Sequence, residues 1–147
     1  MAGAVVTRYV CGFYFLFGRV VLIEKKRPDW MAGKRNGVGG HIESGEEPVD
    51  AMVREFEEET GVRVSRERWE HCCTLHSVHA GEDAVVFWFR VDYAAGDPGV
   101  RSMTDELIGE RTHPYIYAMS NLGWLIEMAM SKNRHDWPYS VSEKGPS

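Results

Sequence analysis

The stretch Arg54-Glu55-Phe56-Glu57-Glu58-Glu59-Thr60 sets four glutamates and an arginine side by side. On a helix, Glu55, Glu58 and Glu59 stand at i, i+3 and i+4 and converge on one face. Like charges at that spacing destabilise an isolated helix by about 0.2–0.5 kcal/mol per pair. A hard cation such as Mg²⁺ or Mn²⁺, which prefers oxygen ligands, cancels that repulsion. The plain alternative is a solvated charged face, which a bare run of acids commonly is. Ala51 falls one turn before Glu55, and a small side chain there leaves room for an approaching group. Glu57 points elsewhere and reads as solvated. Arg54 is spaced to pair with Asp50 or Glu58 and so to orient the acids.

The flanking sequence specifies the helix that carries them. Pro48 suits the first helical position, and Gly61 suits the residue that ends a helix in the left-handed conformation. Val49, Met52, Val53 and Phe56 form one apolar stripe. Upstream, residues 4–15 and 20–25 are rich in β-branched and aromatic residues and read as a hairpin turning at residues 17–19. The glycine-rich segment that follows reads as a loop. Lys25, Lys26, Arg27, Lys34 and Arg35 make this the densest positive region of the chain. Residues 69–79 and 84–93 read as two more strands and 94–116 as irregular. Leu122, Leu125, Ile126 and Met130 give core spacing to a last helix over 120–132, and residues 133–147 read as a polar tail. One α/β layered domain over residues 1–132 is the expectation.

Bulk properties narrow the function. The 147 residues are enough for one domain with a real core. A net charge of -5 gives no broad electrostatic reason to bind nucleic acid. An acidic protein that handles an anionic small molecule needs metal ions or local positive charge. The apolar N-terminal stretch is interrupted by Arg8, Gly12, Gly18 and Arg19, which argues against a membrane span or signal sequence. Cys11, Cys72 and Cys73 make an odd count with two adjacent, so no disulfide framework is expected and a cytoplasmic location is the natural reading. His71, Cys72, Cys73 and His76 resemble zinc ligands superficially. Their spacing is wrong for zinc, and a regular strand sends adjacent side chains to opposite faces. Buried strand cysteines are the expectation.

The acids also sit in a longer frame. Gly40, then Glu46, then Arg54-Glu55-Phe56-Glu57-Glu58-Glu59-Thr60-Gly61-Val62 resembles the Nudix box, which here covers 23 residues from Gly40 to Val62. Phe56 stands where an aliphatic residue is usual. The chain is thereby identified as a member of the Nudix hydrolase superfamily. The resemblance implies an α/β/α sandwich with a mixed central sheet and a loop-helix-loop at the box. It implies a divalent cation, Mg²⁺ or Mn²⁺, held by Glu55, Glu58 and Glu59 with a backbone carbonyl from Gly39 or Gly40. It also implies hydrolysis of a phosphoanhydride bond, with Glu55 or a metal-bound hydroxide activating the water. Glu46 would organise Arg54, although an ordinary helix-start acid explains Glu46 equally well. Lys26 and Arg27 would add contacts to terminal phosphates, or else are simply solvated.

The substrate is less sharply marked. Asn36-Gly37-Val38-Gly39-Gly40 is similar to the loop of MutT-like enzymes that cleave oxidised purine nucleoside triphosphates, where the asparagine reads the base. A carboxamide both donates and accepts, which suits a purine edge, while Asn-Gly is also a common turn dipeptide. Near the C-terminus, no acidic pair matches the second base-reading site of those enzymes. The expected substrate is therefore a small-molecule nucleotide, foremost a nucleoside triphosphate cleaved to monophosphate and pyrophosphate. ADP-ribose or a nucleotide sugar is the runner-up. A catalytically silent nucleotide sensor is the alternative of another class, and the intact glutamates speak against it. Glu106 sits where some family members carry an auxiliary carboxylate, although capping or solvation is the default. For Trp30, Phe87, Trp88 and Phe89, core packing is the default, with Trp88 facing away from Phe87 and Phe89.

Overall fold

Alternation along two adjacent strands sets the layers of this fold. In a computed structural model, which describes residues 5–79, 82–112 and 121–144, β1 (Val6–Leu16) and β2 (Arg19–Glu24) each divide their side chains between two cores. Val10 and Tyr14 of β1, with Val21 and Ile23 of β2, pack under α1 (Pro48–Thr60) against Met52, Val53 and Phe56. Cys11, Phe13, Val20 and Leu22 point the other way and pack under α2 (Leu122–Met130) against Leu125, Ile126 and Ala129. The period of two therefore gives a sheet buried on both faces by one helix each. This is the expected α/β/α sandwich.

The remaining strands are β3 (Arg35–Asn36), β4 (Val38–His41), β5 (Glu70–His79), β6 (Glu82–Asp92), β7 (Leu107–Arg111) and β8 (Tyr139–Lys144). They join one mixed sheet of order β3-β2-β1-β6-β5-β8, with β4 also on β1 and β7 also on β2. β1 runs parallel to β6, and β5 parallel to β8. The central helix ends as its residues dictate. Gly61 takes φ 77° and donates its N–H to the Glu57 carbonyl at 2.9 Å. No helix among the described residues is long and apolar enough to cross a membrane.

Several sequence expectations change, among them the core place of Met130, which is exposed while Ala129 is buried. The segment 26–40 read as loop, yet it holds β3 and most of β4, because Gly39 without a Cβ lies flat on β1; an added Cβ would stand 1.9 Å from the Val10 carbonyl oxygen. The segment 94–116 read as irregular, yet Leu107–Arg111 pairs with β2 as β7. The polar tail contributes β8, whose alternating Val141 reaches the α2-side core. The adjacent Cys72 and Cys73 both enter that same core, because a bulge shifts the β5 register between His71 and Cys73. Burial pushes the two thiols up to about 12 and about 11, so both stay protonated. Position 120, given to the last helix from sequence, lies outside the described residues.

A polar clamp ties the far end of β1 to the loop after β6. Tyr14 is buried and donates its hydroxyl to Asp97 at 2.8 Å, while Arg68 holds both Asp97 oxygens at 2.8 and 2.7 Å. The Arg68 hydrogen bonds hold the Asp97 carboxyl well below the usual carboxylate range. The folded state then binds fewer protons than the unfolded one, so this stabilisation is complete above the unfolded carboxylate value and fades as pH falls below about 4. Asp97→Asn is expected to cost about 2–3 kcal/mol at pH 7. Urea unfolding at pH 7 and at pH 3 checks it, since the gap between variant and wild type should narrow at the lower pH.

Candidate active site

The box residues gather where β4 meets α1. Gly40 ends its approach directly against Glu55: a Cβ on Gly40 would stand 2.5 Å from the Glu55 carboxylate. This close approach leaves the Glu55 side chain only 13% exposed. Burial raises its carboxyl above the usual range, against the opposing pull of Arg54. Glu59, half-buried, is raised for the same reason. Glu58 is exposed, and Glu57 is exposed and pairs with Arg63 at 3.5 Å.

Arg54 is the hub. Its Nε and Nη2 donate to the two oxygens of Glu46, each at 2.9 Å, the planar fork matching the carboxylate. Nη1 donates to Glu55 at 2.9 Å and reaches Glu58 at 3.4 Å, and Nη2 also donates to the His41 carbonyl at 3.0 Å. Glu46 in turn accepts the Glu43 N–H at 3.0 Å, so it ties Arg54 to the loop ahead of α1. Asp50, an alternative partner for Arg54 from sequence, instead faces Arg66 at 3.4 Å. Ala51 is fully buried in the core and opens no approach to the acids.

A second acidic group meets this face from outside the box. Glu106, expected to be a cap or solvated, is 4% exposed, accepting from Lys25 Nζ at 3.2 Å and from the Lys26 N–H at 2.7 Å. Thr104 donates its hydroxyl to Glu59 at 3.1 Å and accepts the Glu106 N–H at 3.2 Å. Thr104 was not singled out from sequence, and Lys25 was named only as part of the positive region. Lys25 was legible: Val21 and Ile23 face α1, and alternation carries on to Lys25. Arg27 is exposed and held by Asp105 at 2.6 Å, while the Lys26 side chain is exposed beside it. Asn36 accepts the Gly37 N–H on its carboxamide oxygen at 2.8 Å, so that oxygen is already committed to the turn. Among the aromatics, Trp88 and Phe89 are buried on opposite faces as expected, Phe87 packs at the edge of the core, and Trp30 is exposed and outside the buried core.

A family model for the NUDIX domain matches residues 7–115. The chain belongs to the NUDIX family. No curated protein matches the sequence. Solved structures share the Nudix fold. A MutT NUDIX hydrolase from Burkholderia pseudomallei is 24% identical, over 84% of this chain and 97% of that one, with a TM-score of 0.68. A MutT/nudix family protein from Enterococcus faecalis is 18% identical, over 75% of this chain, with a TM-score of 0.67; the match spans 45% of that longer protein. A bifunctional NMN adenylyltransferase/ADP ribose pyrophosphatase from Francisella tularensis, complexed with AMP and a manganese ion, is 12% identical, over 87% of this chain and 42% of that one, with a TM-score of 0.70.

In this NUDIX chain the donor set fits a hard divalent cation in kind. Glu55, Glu58 and Glu59 offer only oxygen, and two of the three are partly desolvated. Among the described residues, no three acidic, histidine or cysteine side chains are gathered tightly enough to hold an ion as they stand. Glu55 is held by Arg54 and Glu59 by Thr104, each through one carboxylate oxygen, so the other oxygen of each carries no contact with those two partners.

Proposed function

We propose that this Nudix hydrolase cleaves a nucleoside triphosphate to the monophosphate and pyrophosphate with Mg²⁺ or Mn²⁺. The observation that carries the proposal is the pairing of the box helix with a buried Glu106, which brings a fourth carboxylate and Lys25 to the Glu59 side of the site. The bound cation supplies charge neutralisation for the diphosphate and lowers the pKa of water. Glu55, Glu58 and Glu59 would hold it, with a backbone carbonyl from Gly39 or Gly40. Glu55 is the acceptor proposed for the proton of the attacking water. Arg54 fixes Glu55 against Glu46 while the proton moves. Lys26 and Arg27 stand beside Glu106 and meet the outer phosphates, Arg27 after release from Asp105. Water then attacks one phosphorus in line, and no covalent intermediate is needed.

Asn36 reads the base. With its oxygen committed to Gly37, its amide N–H groups are the donors available to a purine acceptor. Asn36→Ala is expected to lower the preference between an oxidised and a canonical purine triphosphate about tenfold, the loss of one base-directed hydrogen bond. Equal kcat/KM ratios in variant and wild type would assign Asn36 to the turn alone. The wider test is product analysis over canonical and 8-oxo nucleoside triphosphates, ADP-ribose and a dinucleoside polyphosphate. Cleavage confined to ADP-ribose would overturn the triphosphate assignment while keeping the metal helix.

A further inference from the structure

The loop that brings Glu106 to the box helix is attached to it in an unusual way. Arg101 and Met103 donate their N–H groups to the carbonyls of Thr60 and Glu59, each at 3.1 Å, using acceptors that the end of α1 leaves without helical partners. The loop is thus docked on the last turn of α1. The next residue, Thr104, then uses one hydroxyl twice: it donates to Glu59 Oε2 at 3.1 Å and accepts the Glu106 N–H at 3.2 Å. The backbone bonds set the height of the loop on the helix. The hydroxyl links the side chain of Glu59 to the backbone that aims Glu106, which Lys25 and the Lys26 N–H hold from the other side.

We propose that Thr104 is a positioning residue that registers Glu59 and Glu106 against each other, so that both carboxylates serve the same cation and diphosphate. Two buried or half-buried carboxylates brought together repel, and both Lys25 and the hydroxyl act against that repulsion. A hydroxyl that donates to Glu59 limits its rotamers before any cation arrives. The ordering cost on binding is correspondingly smaller, and groups behind a ligand carboxylate typically change metal affinity or activity by about 10–100-fold. The inference rests on the hydrolase reading above, because it assigns the Glu59 face to the cation.

The test compares wild type with Thr104→Val, Thr104→Ser and Glu59→Gln. Mn²⁺ binding is followed by the electron paramagnetic resonance signal of free Mn²⁺, with no substrate present. Thr104→Val, which keeps the shape and removes the hydroxyl, is expected to weaken Mn²⁺ binding about tenfold and to lower kcat by a similar factor with little change in KM. Thr104→Ser, which restores the hydroxyl, is expected to return both to within about twofold of wild type. Wild-type binding and turnover in Thr104→Val, with Glu59→Gln impaired, would overturn the positioning role and leave the cation site standing. Equal losses in the serine and valine variants would also overturn it, since the methyl packing and not the hydroxyl would then matter. Unchanged Mn²⁺ binding in Glu59→Gln would overturn both the role and the site it depends on.

Discussion

Glu55→Gln is expected to lower kcat by about a thousandfold, the range of a lost general base that is also a metal ligand. Its stability should stay within about 1 kcal/mol of wild type, because burial already disfavours the charged carboxylate and an amide of the same shape still accepts from Arg54. The separation of the two effects is the informative part. Steady-state kinetics with saturating Mg²⁺ measures the first, and urea unfolding the second. A variant with near-normal turnover would remove Glu55 from the proton-transfer role and pass that role to Glu106 or another group.

Arg54→Leu should damage both properties together. The guanidinium satisfies Glu46 with two bonds and Glu55 with one, and it bridges to the His41 carbonyl of β4. Glu46 and Glu55 are 17% and 13% exposed, so removal strands two largely desolvated carboxylates beside one another. Breaking such a network costs about 3–5 kcal/mol when it is fully buried, and about 2–4 kcal/mol is expected here, where Arg54 itself is 25% exposed. Activity should fall about 10–100-fold, as for loss of the groups that orient metal-binding carboxylates. Arg54→Lys is the sharper control. It keeps the charge but lacks the planar fork, so it should recover part of the stability and little of the activity. Full recovery by lysine would mean that charge alone, and not the two-pronged geometry, holds the site.

What was legible in the sequence follows from how local each signal is. The box helix announces itself through Pro48, Gly61 and a four-residue apolar stripe, all within one element. The hairpin of β1 and β2 is equally local. β4 was hidden because two of its four residues are glycines, which carry no strand preference of their own; contact with β1 makes it a strand. β7 and β8 are short, carry charged residues and owe their form to pairing with β2 and β5. The same holds for the site. Glu55, Glu58 and Glu59 share one helix and could be grouped by spacing. Thr104 and Glu106 lie 45 and more positions from Glu59, and only the docking of their loop brings them there. Asn36 was legible by type, but the commitment of its oxygen to Gly37 depends on the turn itself.

The most direct measurement is one reaction: a purine nucleoside triphosphate incubated with Mg²⁺, with EDTA, and with Mg²⁺ plus the Glu58→Gln protein purified in parallel, the products resolved by ion-exchange chromatography. Monophosphate and pyrophosphate in equal amounts, formed with Mg²⁺ and absent from the other two samples, is the predicted result. Orthophosphate as the sole phosphate product, or turnover that survives both EDTA and the glutamine substitution, would contradict a diphosphate-cleaving site built on the acidic face of α1.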